Sequence, residues 1–157
     1  MNYFMDIYTV SFFGHRKLYD LHRIDEQLVP ILKELIRAKQ YVSFIIGRNG
    51  EFDEYTASVI KRVQKEVGKY NNEMTLVLPY TVADIEFYEK YYDNVLIPES
   101  VYGVHPKSAI QLRNQWMIEQ SDFVIVYVER ENGGAHTAMK YAEKLSKRII
   151  NLYTVHL

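Results

Sequence analysis

The sequence predicts an α/β domain, a mainly parallel sheet of about six strands with helices on both faces. Three observations predict it. Short apolar, β-branched runs alternate along the chain with longer stretches of helical periodicity, the order expected of strands joined by helical crossovers. The run Phe123 to Val128 is apolar without interruption, as in a strand covered on both faces. No repeat, linker or low-complexity segment divides the 157 residues, so residues 1–157 read as one domain, large enough to bury a core without metal or disulfide.

The elements follow in order. Ile7 to Phe13 is the first strand and ends at Gly14-His15-Arg16. The next helix carries Ile24, Leu28, Ile31, Leu32 and Leu35 on one stripe. A start near Asp25 puts Pro30 at the end of its first turn, where few hydrogen bonds are lost. Tyr41 to Ile46 is the second strand and runs into Gly47-Arg48-Asn49-Gly50-Glu51-Phe52-Asp53. A second helix bears Tyr55, Val59, Val63 and Val67 and stops at Gly68, with Asn71 and Asn72 in the turn beyond. Met74 to Leu78 is a third strand, closed by Pro79-Tyr80; a short helix over Asp84 to Tyr92 and a short strand over Val95 to Ile97 follow. A loop with Gly103 and His105 leads to a helix from about Lys107 to Gln120. After Phe123 to Val128 come Asn132, Gly133 and Gly134, a helix over Ala135 to Leu145, and a last strand over Arg148 to Leu152.

Composition excludes several classes of function. There is no cysteine, hence no disulfide, thiolate metal site or cysteine nucleophile. No apolar stretch approaches the roughly 20 residues that cross a bilayer, and the N-terminus lacks the basic and apolar regions of a signal peptide; a cytoplasmic protein without membrane contact is expected. Nineteen Lys and Arg against 20 Asp and Glu leave a formal charge of −1, which argues against nucleic acid as a partner, since that ordinarily needs a strongly basic face. The 14 tyrosines, several between Tyr80 and Tyr92, fit half-buried positions or a subunit contact better than base stacking.

In an open parallel sheet the C-terminal strand ends share one edge, and ligands bind in the crevice there. Along that rim stand Gly14, His15 and Arg16; Gly47, Arg48, Gly50, Glu51 and Asp53; Pro79 and Tyr80; Lys107, Arg113 and Asn114; and Gly133, Gly134, His136 and Thr137. The glycines admit close backbone approach, and Arg16, Arg48, Lys107 and Arg113 are partners for phosphate or carboxylate. A strand, a glycine pair and a helix start leave backbone N–H groups free to face an anion; the same pair also suits a plain tight turn. Arg113 lies four residues from both Ala109 and Met117, at the boundary of an apolar helix face. Glu51 and Asp53 suit acid/base work, ribose binding or simple helix capping. His15, His105 and His136 lack metal-ligand spacing, so no metal and no cofactor is expected. No nucleophile elbow, complete P-loop or dinucleotide fingerprint occurs.

From Arg113 onward the chain resembles the Rossmann-like SLOG superfamily, which joins the DNA-processing protein Smf/DprA with the "Lonely guy" cytokinin-activating phosphoribohydrolases. The enzymes' pattern runs R-K, M, S-D, an apolar strand, then P-G-G-x-G-T-x-x-E. Here Arg113-Asn114, Met117, Ser121-Asp122, Phe123 to Val128 and Gly133 to Thr137 stand in that order. Phe12 to Arg16, Gly47 to Asp53 and Leu78 to Tyr80 are similar to a less-studied bacterial and phage-associated branch. The resemblance implies a three-layer α/β/α Rossmann-like fold, a nucleotide-like ligand and a homodimer. It also implies an arginine–glutamate catalytic pair. Arg113 matches the arginine, but Lys140 stands where the glutamate would be, Asn114 replaces the lysine and His136 the third glycine. Removing that carboxylate removes what would support an oxocarbenium-like transition state, unless Glu51 or Asp53 substitutes. The first expectation is therefore binding of a nucleotide or nucleotide-derived small molecule. An N-glycosidase or ribosyl transferase acting on nucleoside monophosphates, with Arg113 and Glu51 or Asp53 in catalysis, is the alternative. A nucleic-acid or protein-interaction module is the third.

Overall fold

Alternation of side chains along each strand decides the architecture. Val10 and Phe12, Phe44 and Ile46, Met74 and Leu76, and Phe123 and Ile125 pack into one core. Phe13, Ile45, Val77, Val124 and Val126, the residues between or beside them, pack into a second. A sheet apolar on both faces needs helices on both. The computed structural model describes residues 5–154 and has this arrangement. Its order is β1 (Ile7–Gly14), α1 (Leu21–Ala38), β2 (Tyr41–Ile46), α2 (Glu51–Val67), β3 (Asn72–Val77), α3 (Ile85–Tyr91), β4 (Asn94–Leu96), α4 (Pro106–Gln120), β5 (Phe123–Tyr127), α5 (Gly134–Lys144) and β6 (Arg148–Asn151). Helices α1 and α2 bury their stripes in the first core, while Met117 and Ile118 of α4 and the alanines of α5 fill the second.

The six strands form one sheet in the order β4-β3-β2-β1-β5-β6, and every adjacent pair is parallel. The chain winds outward from β1 through β4, then returns to place β5 on the other side of β1. The direction of winding thus reverses between β1 and β5, which opens a crevice at their C-terminal ends. The fold is the expected Rossmann-like α/β/α class.

Two motif residues turn out to join strands. Asp122 accepts the Thr9 N–H at 2.9 Å through its carboxylate, and its own N–H donates to the Thr9 carbonyl at 2.8 Å, docking β5 against β1. Ser121, buried beside it, donates to the Met117 carbonyl at 2.6 Å and closes the end of α4. At the far end of β5, the Asn151 amide pairs with both the N–H and the carbonyl of Val128 at 3.0 Å, extending the β5–β6 ladder by one side chain.

Boundaries differ from expectation in places. Helix α1 starts at Leu21, because Asp20 accepts the Arg23 N–H as an N-cap. Pro30 therefore sits mid-helix and not in the first turn. It is exposed, and the Glu26 carbonyl whose donor it removes belongs to an exposed residue too, so no buried group is stranded by the lost hydrogen bond. Asn72 opens β3 in place of forming a turn, and its buried side chain takes the Gln64 amide at 3.0 Å. His105 caps α4, its Nδ1 accepting the Lys107 N–H at 3.3 Å.

Candidate functional site

The crevice holds a cavity of about 360 Å³. Twelve residues expected at the rim line it: Gly14, His15, Arg16, Arg48, Gly50, Asp53, Pro79, Tyr80, Arg113, Asn114, Gly133 and Gly134. They come from all three turns after β1, β2 and β3, from α4 and from the turn after β5.

Arg113 forms the inner wall. It occupies the buried stripe of α4 between Ala109 and Met117 and is only 7% exposed. Its Nε donates to Asn114 Oδ1 and its Nη1 to the Val77 carbonyl, both at 2.8 Å. These bonds fix the guanidinium at the end of β3 and leave Nη2 without a hydrogen-bond partner among the described residues. A buried guanidinium with one free donor facing a cavity is a preorganised anion contact. Asn114 thus orients the arginine besides lining the space.

Gly47 lines no part of the cavity but makes this wall possible. A Cβ there would lie 3.0 Å from Arg113 Nη1 and 3.4 Å from Asp53 Oδ2, between the guanidinium and the carboxyl. Asp53, half-buried in the first turn of α2, has its pKa pushed up to about 7, chiefly by burial; Arg113 pulls it down and Glu54 adds to the rise. Near neutral pH it is therefore a carboxyl divided between its two protonation states, suited to give or take a proton.

His15 ties two of the turns together. Buried at 6% exposure, its Nε2 accepts the N–H of Glu129 at 2.8 Å and of Arg130 at 3.3 Å. Acceptance requires a neutral ring, and burial, followed by the nearby Arg130, holds its pKa below the usual value of 6.5. Its ring lines the cavity, while its acceptor is spent on the loop after β5.

Other expected residues lie outside this cavity. Glu51 turns away, accepting the Leu18 N–H at 2.5 Å. Lys107 and Thr137 line a separate groove between α4 and α5, and the Thr137 hydroxyl donates back to the Gly133 carbonyl at 3.0 Å. His136, half-buried on α5, lines neither. Gly133 takes φ +89°, a left-handed turn that suits glycine. It releases the chain into α5, whose Gly134 and Ala135 amides start a helix at the cavity edge. Asn49, Ile110 and Ala135 also line the cavity; they lie within stretches expected at the rim but carry no signal of their own. Phe13 and Arg130 were not expected there, although Arg130 had a readable signal, as the first basic residue after the strand Phe123 to Val128.

The electrostatic balance of the lining differs from that of the chain. Arg16, Arg48, Arg113 and Arg130 face one carboxyl, Asp53, which is itself half neutral at pH 7. Among the described residues no group of His, Asp and Glu is placed to hold a metal ion, and no helix is long and apolar enough to cross a membrane.

These features define a Rossmann-type domain with a cationic crevice at its topological switch point. No protein-family model matches the sequence, and no curated protein does. Solved structures do match. DNA processing protein A (DprA) from Streptococcus pneumoniae superposes with a TM-score of 0.66 at 14% identity, covering 91% of this chain and 49% of that one. DprA from Helicobacter pylori superposes at 0.63 and 16% identity, covering 90% of this chain and 63% of that one. The chain thus shares the Rossmann-like fold of these DprA structures, and spans about half to two thirds of the length of these neighbours. The structure of the Helicobacter protein is described by its single-stranded DNA binding mode. That finding corrects the expectation drawn from net charge, that nucleic acid is an improbable partner. A fold of this kind serves DNA in a neighbour, and the near-neutral total conceals a strongly cationic crevice.

Proposed function

We propose that the chain binds single-stranded nucleic acid, seating a phosphate of the strand in the crevice between β1 and β5. The observation that carries the reading is the cavity lining, four arginines against the single carboxyl of Asp53. Arg113 Nη2 and the amides at the start of α5 are the donors best placed for a phosphate, and Arg16, Arg48 and Arg130 supply the surrounding positive field. The likeness to DprA supports the polymer over other anions.

A second reading, a free nucleotide or nucleotide-derived molecule, is favoured by the depth of the site. A cavity of about 360 Å³ with a buried arginine as its wall lies within the ordinary range for small-molecule pockets. Hydrolysis of such a ligand would fall to Asp53, since Glu51 is held by Leu18.

One experiment separates these readings. Anisotropy of a labelled single strand of about twelve nucleotides is titrated with protein at several salt concentrations, beside calorimetry with a nucleoside monophosphate. Strand binding that weakens steeply with salt, and that falls by about 10- to 150-fold in Arg113→Ala for loss of a charged hydrogen bond, is the expected result. Equal affinity for the monophosphate and the strand favours the second reading. No binding of either at low salt refutes both.

A further inference from the structure

A strip that alternates cation and ring leads away from the cavity mouth. Arg48, part of the lining, holds its guanidinium 5.6 Å from the Tyr88 ring centroid, with Nη1 3.3 Å from the Tyr88 hydroxyl. Tyr88 meets Phe87 edge to face at 5.4 Å. Phe87 lies nearly parallel to Tyr91, 15° between planes at 6.3 Å. Lys61 Nζ, from α2, sits 3.7 Å over the Tyr91 ring and donates to the Tyr91 carbonyl at 3.0 Å. Folding alone does not account for the strip. Phe87 is 62% exposed, and the buried Nε of Arg48 has no hydrogen-bond partner among the described residues. An exposed phenylalanine held between two tyrosines, with cations at both ends, is an uncommon way to finish a surface helix, since it leaves apolar area in water.

We propose that the strip Arg48-Tyr88-Phe87-Tyr91-Lys61 is a stacking platform for the bases of a single-stranded nucleic acid whose phosphate occupies the cavity. The inference rests on the reading of the cavity as a nucleotide-phosphate site and extends it along the strand. Every base has a π face, so rings grip a strand without regard to sequence, and basic side chains between them follow the backbone. Exposed Asp84, Glu86 and Glu89 on or next to α3 repel phosphates, so the backbone passes on the α2 side, where Arg48 and Lys61 stand. Continuity with the arginine-lined cavity, through Arg48 itself, favours this polyanion over a protein docked on the same rings. The strip offers little to read base edges beyond the Tyr88 and Tyr91 hydroxyls. Weak sequence preference follows.

The test uses Phe87→Leu, which keeps apolar bulk without a ring, and Phe87→Trp, which keeps a ring. Because the position is exposed, both variants should melt with the wild type. Phe87→Leu should weaken binding of the strand of about twelve nucleotides on the order of tenfold, with unchanged salt slope and unchanged affinity for a nucleoside monophosphate. Phe87→Trp should restore strand affinity. If Phe87→Leu binds the strand like the wild type while Arg113→Ala does not, the platform is refuted and the cavity reading stands. If Phe87→Leu and Phe87→Trp weaken it alike, the rings are not stacking and the platform is again refuted. Failure of the wild type to bind any strand refutes the platform together with the strand reading of the cavity.

Discussion

Replacing Asp53 by Asn probes the site's charge most directly. The carboxyl titrates at 3.8 when exposed and at about 7 in the fold, with burial as the main cause. That gap of about three units corresponds to about 4 kcal/mol at roughly 1.4 kcal/mol per unit. The sign follows from proton counting. Below 3.8 both states hold the proton and the group costs nothing. Between 3.8 and 7 the unfolded chain releases it while the folded one keeps it, so stability falls as pH rises, and above 7 the full penalty persists. Asn mimics the protonated form. Urea unfolding of both proteins from pH 5 to pH 8 should show the variant gaining on the wild type as pH rises, by at most about 4 kcal/mol at pH 8. Binding carries the same signature. Ionised Asp53 opposes an anion, so affinity for a single strand, whose phosphodiesters keep a constant charge over this range, should fall from pH 6 to pH 8 in the wild type and stay level in Asp53→Asn. Equal stabilities at pH 8, together with pH-independent binding by the wild type, would show that the carboxyl is ionised without penalty, and the account of the cavity as a cationic space closed by a reluctant acid would fail.

Two further perturbations test the supports of the site. Gly47→Ala places a methyl 3.0 Å from Arg113 Nη1; it should cost about 1–3 kcal/mol of stability as overpacking and weaken ligand binding by displacing the guanidinium, read by calorimetry at a temperature where the variant is fully folded. His15→Ala removes the acceptor of two backbone amides, a loss of about 1–3 kcal/mol, and should speed hydrogen exchange at Glu129 and Arg130. Because the folded His15 pKa lies below 6.5, its contribution is present above 6.5 and is lost as pH falls, the opposite slope to Asp53, and the variant should lose that acid-side decline.

Much of this arrangement was legible in the sequence because strand pattern and topology act together. Once Phe123 to Val128 is read as a strand covered on both faces, its neighbours must be parallel, and parallel strands bring their ends to one edge regardless of how far apart those ends lie in sequence. Gly14, Arg48, Pro79, Arg113 and Gly133 could thus be assembled without coordinates. What stayed hidden depends on directions that spacing does not encode. Glu51 and Asp53 are two residues apart in one helical turn, hence roughly opposite in azimuth, and only packing decides that Asp53 faces the cavity while Glu51 turns back to Leu18. Lys107 and Thr137 sit at helix starts near the rim, yet α4 and α5 carry them into the groove between the two helices. Phe87 gave no signal, since an isolated apolar residue on a short helix is as ordinary outside as inside.

Net charge is a poor guide to this crevice for a related reason. A sum over the chain weights every residue equally, whereas a ligand at the sheet edge meets only the side chains that line its cavity, with a low-dielectric wall behind them that strengthens each one. In this chain the acids are spent largely elsewhere. Asp122 and Glu51 satisfy backbone amides, and Asp25, Glu34, Glu66 and Asp93 pair with Arg62, Arg37, Lys33 and Lys69 on the surface. The arginines at the strand ends have no such partners: Arg48 and Arg113 donate to a neighbouring amide side chain, a tyrosine hydroxyl or a carbonyl, none of which cancels their charge. Segregation of this kind leaves net charge near zero while concentrating positive potential where the fold opens, which is why local pairing, and not composition, decides what this crevice attracts.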